Sequence, residues 1–85
     1  MPTIARDGEF RFVIHTRELP FEPPHVHVSF GDDEIRIELV SGMFMEHPPE
    51  GKRRPLLEAF RRHADLIRKT WEDIHGPLPG GGTEP

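Results

Sequence analysis

With 85 residues, no cysteine, 34% hydrophobic residues, 8 glycines and 10 prolines, the chain has room for one domain and a thin core, because a chain this short buries only about 60% of the surface it exposes when unfolded. The missing cysteine excludes disulfides and thiolate zinc sites, so a metal would fall to His, Asp and Glu, and a homo-oligomer or a second small protein becomes the expected source of extra stability. A net charge of −4 gives no global pull toward nucleic acid or anionic lipid, and no membrane segment of about 20 apolar residues or signal-peptide stretch is visible, so a cytoplasmic location is expected.

Taken in chain order, Thr3 to Ala5 form a short candidate strand that turns at Asp7-Gly8. Phe10, Phe12 and Ile14 then alternate with Arg11, Val13 and His15, the period of a strand. The next stretch, Leu19-Pro20-Phe21-Glu22-Pro23-Pro24, holds three prolines and is excluded as an interior strand. Val26, Val28 and Phe30 alternate with His27 and Ser29, and Ile35, Ile37 and Leu39 alternate with Arg36 and Glu38. Gly31-Asp32-Asp33-Glu34 lies between these runs and has the composition of a hairpin turn. Met43 to Met45 follow the Ser41-Gly42 turn as a short last strand or an adaptable contact surface.

From Pro55 to His75, apolar residues recur at Leu56, Leu57, Phe60, Ala64, Ile67, Trp71 and Ile74, one stripe of period 3.6. Pro55 suits a first helical turn, and Gly76-Pro77 is a stop. The expected fold is α+β: a small, mainly antiparallel sheet of three to four strands packed on one face by one long C-terminal amphipathic helix. Residues 1–76 make a single domain, and 77–85 a disordered tail. The sheet's Phe, Val and Ile positions and the helix's Phe60, Ile67, Trp71 and Ile74 are the expected core.

The hairpin register decides what the polar face holds. Pairing Phe30 with Ile35, Val28 with Ile37 and Val26 with Leu39 puts all six apolar residues on one face, as a half-buried sheet requires. His25, His27 and Ser29 then share the other face, with Glu38 expected across from His27 and Arg36 across from Ser29. Histidines two apart on a strand project to one side about 7 Å apart. With a cross-strand carboxylate they are candidate ligands of a divalent metal, Zn²⁺ or Mn²⁺, so His25, His27 and Glu38 form the candidate metal set. Such a set would serve a small metal-dependent hydrolase or nuclease. The leading expectation is that the same histidines are ordinary surface groups in a non-catalytic protein-interaction domain, with the metal-dependent enzyme as the alternative. A histidine-triad nucleotide hydrolase is excluded, because Ser29 stands where a third alternating histidine belongs.

Arg36 and Ser29 on the same face, and Arg53 and Arg54 near the helix start, are the candidate binding residues. Lys52, Arg53, Arg54, Arg61 and Arg62 could meet phosphate, but Glu50 and Glu58 lie among them, so nucleic acid is a secondary expectation. His63 reads as a boundary residue of the helix stripe and Trp71 as core. His75 suits a helix C-terminus, where a cation is favoured. No Ser or Thr has a triad neighbourhood, and Gly80-Gly81-Gly82 has no strand–helix context for a phosphate loop.

The segments Met1-Pro2-Thr3-Ile4, Phe10-Arg11-Phe12, Glu22-Pro23-Pro24-His25-Val26-His27-Val28 and Trp71-Glu72-Asp73-Ile74-His75 occur in that order. Over about residues 1 to 76 the chain resembles the small bacterial and archaeal family catalogued as domain of unknown function 4160, with the Pro-Pro-His-Val-His run as the most specific part. It departs from that pattern in the tail after Gly76 and at Leu19-Pro20-Phe21, where many relatives have an Asp or Asn. The resemblance brings no catalytic residues. It implies a partner, since such proteins are often encoded beside another small domain and have been proposed as toxin–antitoxin-type modules.

Overall fold

In the computed structural model, which describes residues 3–17 and 22–78, four strands precede one helix. These are β1 (Thr3–Asp7), β2 (Phe10–Val13), β3 (His25–Phe30), β4 (Asp33–Glu38) and α1 (Arg53–His75). The strands form one antiparallel meander in the order β1-β2-β3-β4. The α+β architecture is the expected one. Leu19, Pro20 and Phe21 of the proline-rich connection, and 79–85 of the expected tail, lie outside the described residues. Leu78, inside that expected tail, packs against the core.

Both tight hairpins have two-residue loops that begin with glycine. Asp7 pairs with Phe10 across Gly8-Glu9, and Phe30 pairs with Asp33 across Gly31-Asp32. Gly8 and Gly31 have φ of 59° and 58°, the left-handed region that the first position of a II′-type hairpin requires. The turn therefore sits on Gly31-Asp32, and the β3–β4 register differs by two residues from the expected one. Val28 faces Ile35 and Val26 faces Ile37, while His25 faces Glu38, His27 faces Arg36 and Ser29 faces Glu34. A shift of two leaves each side chain on its face, so the expected apolar face survives and only the cross-strand partners change.

That face is the core. Phe10, Phe12, Ile14, Val26, Val28, Phe30, Ile35, Ile37 and Leu39 are buried against Leu56, Ala59, Phe60, Ala64, Ile67 and Trp71. Ile74, expected in the core, is exposed because it falls on the edge of the stripe beyond Trp71. The helix begins two residues earlier than Pro55. Leu56 donates the first intrahelical bond, to the Lys52 carbonyl, so Pro55 still occupies a position whose N–H would have had no helical acceptor. Gly76, with φ of 100°, ends the helix and donates to the Glu72 carbonyl.

Met43 to Met45 do not form a strand. Phe44 makes one antiparallel bridge with Ile37, flanked by bonds from Glu38 N–H to the Met43 carbonyl and from Met45 N–H to the Arg36 carbonyl. On the other sheet face, Val13 and His25 are buried, so that face is covered at the His25 end instead of lying bare throughout.

Candidate metal centre

The polar sheet face is arranged in cross-strand rows. Val13 of β2, His27 of β3 and Arg36 of β4 form one; Arg6, Arg11, Ser29 and Glu34 form the next. His15 continues the β2 alternation two residues beyond Val13. From His27, Glu34 on β4 and His15, just beyond the end of β2, are diagonal neighbours on opposite sides of its row, Arg11 and Glu38 being the other two. Diagonal Cα spacings of about 7–8 Å are within reach of long side chains, and the contacts to Glu34 and His15 form. His27 Nδ1 donates to the Glu34 carboxylate at 2.8 Å, and the His15 and His27 rings stack with centroids 3.8 Å apart.

One ligand atom from each of His15, His27 and Glu34 lies within 4.8 Å of the other two. A tetrahedral ion with bonds of about 2.0–2.2 Å spaces its ligands about 3.3–3.6 Å apart. Bringing these three onto one cation requires the stacked imidazoles of His15 and His27 to turn their ring nitrogens toward a common point. Glu34 is half exposed and the His27 side chain only 12% exposed, so one wall is fixed and the other open to water. An open position of that kind distinguishes catalytic from closed structural zinc sites.

The expected trio of His25, His27 and Glu38 is not what the geometry brings together. His25 is fully buried, its Nδ1 donates to the Pro23 carbonyl at 2.8 Å, and its ring lies against Trp71 and His27. Glu38 faces His25 and accepts a hydrogen bond from Ser41 Oγ. The two-residue register shift is the cause: it moves Glu34 into reach of His27 and carries Glu38 past it. His15 shares its face with Arg11 and Val13, so β2 alternation was the signal for it, and Gly31 as first loop residue was the signal for Glu34.

Several contacts steady the site. His75, on the last helical turn, donates from Nε2 to the His15 carbonyl at 2.8 Å and packs against Trp71, tilted by 31° with centroids 4.0 Å apart. The helix end thus fixes the backbone of one candidate ligand. Arg36, directly opposite His27, is occupied. Its Nε and Nη2 donate to Glu46 at 2.8 and 2.5 Å, its backbone N–H donates to the same carboxylate, and Nη1 donates to Glu22. Burial opposes the charge on Glu46, but the Arg36 bonds outweigh it and hold the carboxyl below its ordinary range. These carboxylates largely neutralise the arginine beside His27.

The other expected binding residues are dispersed. Ser29 stands between Arg11 and Glu34 on the polar face. The Arg53 guanidinium lies over the Phe44 ring, 5.1 Å from its centroid, and Arg54 is exposed on the helix start. His63 is engaged in fixing the helix: with Arg62 it donates to Asp7. The Arg62 bonds hold the Asp7 carboxyl below its usual range. No helix among the described residues is long and apolar enough to cross a membrane.

The family model described as Domain of unknown function (DUF4160) matches residues 9–72. No curated protein and no solved structure matches the chain.

Proposed function

The chain belongs to the DUF4160 family, and because that membership carries no chemistry, we propose from the site itself that the protein binds a divalent cation through His15, His27 and Glu34 and uses it in hydrolysis. The observation that supports this reading is the approach of two imidazoles and one carboxylate, from β3, β4 and the residues just after β2, to within 4.8 Å of one another. Two neutral nitrogens and one carboxylate suit Zn²⁺ or Mn²⁺, and a partly solvated ion would leave a position where water loses its proton near neutral pH. The test is a calorimetric titration of the untagged chain with Zn²⁺ and with Mn²⁺ at pH 7.5 and pH 5.5. Imidazole must be neutral to bind, so affinity should fall at the lower pH, below the ordinary His value of about 6.5. Equal weak heats from wild type and His27→Ala would refute the proposal.

A second reading, a non-catalytic component of a two-protein, toxin–antitoxin-type module, draws on a different region. Val40 and Met43 are exposed beside the β4 edge, at 52% and 68%, and Phe44 bridges that edge at one residue. The two readings are compatible if the partner covers the β4 side. Sedimentation at micromolar concentration tests it: a dimer or a co-purified second chain is expected, and a stable monomer contradicts it.

A further inference from the structure

Next to the proposed metal centre the sheet carries an electrostatic anomaly. Arg6 of β1 and Arg11 of β2 are directly opposed Cα partners, and both are exposed. Like charges directly opposite on antiparallel strands are destabilising, and nearby acids commonly relieve them. Here the nearest acids in sequence are engaged elsewhere. Asp7 accepts from Arg62 and His63, and Glu9 accepts from Lys52. Among the described residues neither arginine side chain has an ion-pair or hydrogen-bond partner. The contrast with Arg36, whose donors are filled by Glu46 and Glu22, is direct: one arginine on this face is neutralised and two are left to solvent.

The placement of the pair gives it a use. Their row continues through Ser29 to Glu34, and Arg11 is a diagonal neighbour of His27, about 7–8 Å away between Cα atoms. An arginine side chain spans that distance, so Arg11 and a cation on His27 can reach one anion. The Ser29 hydroxyl stands between them as a further donor. Guanidinium groups bind phosphate bidentately with high geometric preference. The geometry points to Arg6, Arg11 and Ser29 as the phosphate-binding subsite of the same centre, and so to a phosphate ester as its substrate class. This rests on the hydrolytic reading above for its catalytic meaning, but the subsite itself needs no metal.

That independence sets the experiment. The probes are thymidine 5′-monophosphate and the dinucleotide thymidylyl-thymidine, titrated by calorimetry into the full chain in EDTA, with thymidine as the phosphate-free control. Binding of either ester, absent for thymidine, is expected and tells phosphomonoester from phosphodiester. Arg6→Gln plus Arg11→Gln should weaken it at least about tenfold, while Lys69→Gln, which removes a positive charge on the exposed helix face, leaves it within about twofold. The double variant should also melt no lower than wild type, because it removes a repulsion, which separates lost binding from lost folding. No ester binding at millimolar concentration, or equal binding by wild type and the double variant, overturns the subsite. Failure of zinc binding in the earlier titration with ester binding intact would remove the metal and leave the phosphate site standing.

Discussion

Replacing Glu46 by Gln should lower stability at neutral pH and leave it nearly unchanged in acid. Glu46 accepts three bonds from Arg36, from the backbone N–H, Nε and Nη2, and so pins the segment after Ser41 to the outer edge of β4. Hydrogen bonds to a charged group contribute about 1.5–3 kcal/mol when well shielded. The two side chains are 28% and 39% exposed, and an amide oxygen keeps part of the bonding, so solvent screening brings the loss to about 1 kcal/mol. For a domain of this size that is a fall in Tm of about 4–8 °C. The carboxyl is held below its ordinary value, so its contribution is complete above about pH 4.5 and is lost as pH falls through the lowered folded value. Thermal unfolding followed by circular dichroism at pH 7 and about pH 2.5 should show the gap between wild type and variant at the first pH and its closure at the second. A gap that persists unchanged in acid, or none at pH 7, would refute the assignment of this carboxylate.

Gly31→Ala tests the hairpin. An added Cβ would meet nothing within 4 Å, so the cost comes from φ of 58° alone, about 1–2 kcal/mol, whereas Asp32→Ala should be near neutral; urea unfolding distinguishes them. Leu56→Ala, at a fully buried position in the first helical turn, should cost about 2–5 kcal/mol, a large share of the about 4–13 kcal/mol expected for a domain of this length. Leu66→Ala, on the exposed helix face, should stay within about 0.5 kcal/mol by the same assay.

The fold was legible because its two periodicities are uninterrupted. Phe10 to Ile14 and Val26 to Leu39 alternate, while Leu56 to Trp71 recur at three and four, and the core uses both patterns. The site was legible only in part. Alternation assigned His27, Ser29 and Arg36 to one face, but period two is blind to a register shift of two, so the carboxylate beside His27 depended on which pair of residues made the turn. Gly31, able to take a positive φ as first loop residue, carries that information. Alternation also said nothing of depth. His25 and Val13 lie on the polar face yet are buried, the His25 ring facing Trp71 where His75 packs against it. Such coverage arises from the helix's position relative to the strands, and no local pattern encodes it.

The claim that His15, His27 and Glu34 form a metal centre is tested most directly by long-range ¹H–¹⁵N spectra of the imidazoles, recorded while Zn²⁺ is added to one equivalent at pH 7.5. Large shifts are expected in the nitrogens of His15 and His27, saturating together at a 1:1 ratio. His25, buried and bonded to the Pro23 carbonyl, and His63, bonded to Asp7, should keep their chemical shifts to within small indirect changes, and Glu34→Gln should abolish saturation at that ratio. Shifts spread evenly over all six histidines, or confined to His47 and His63, would contradict it.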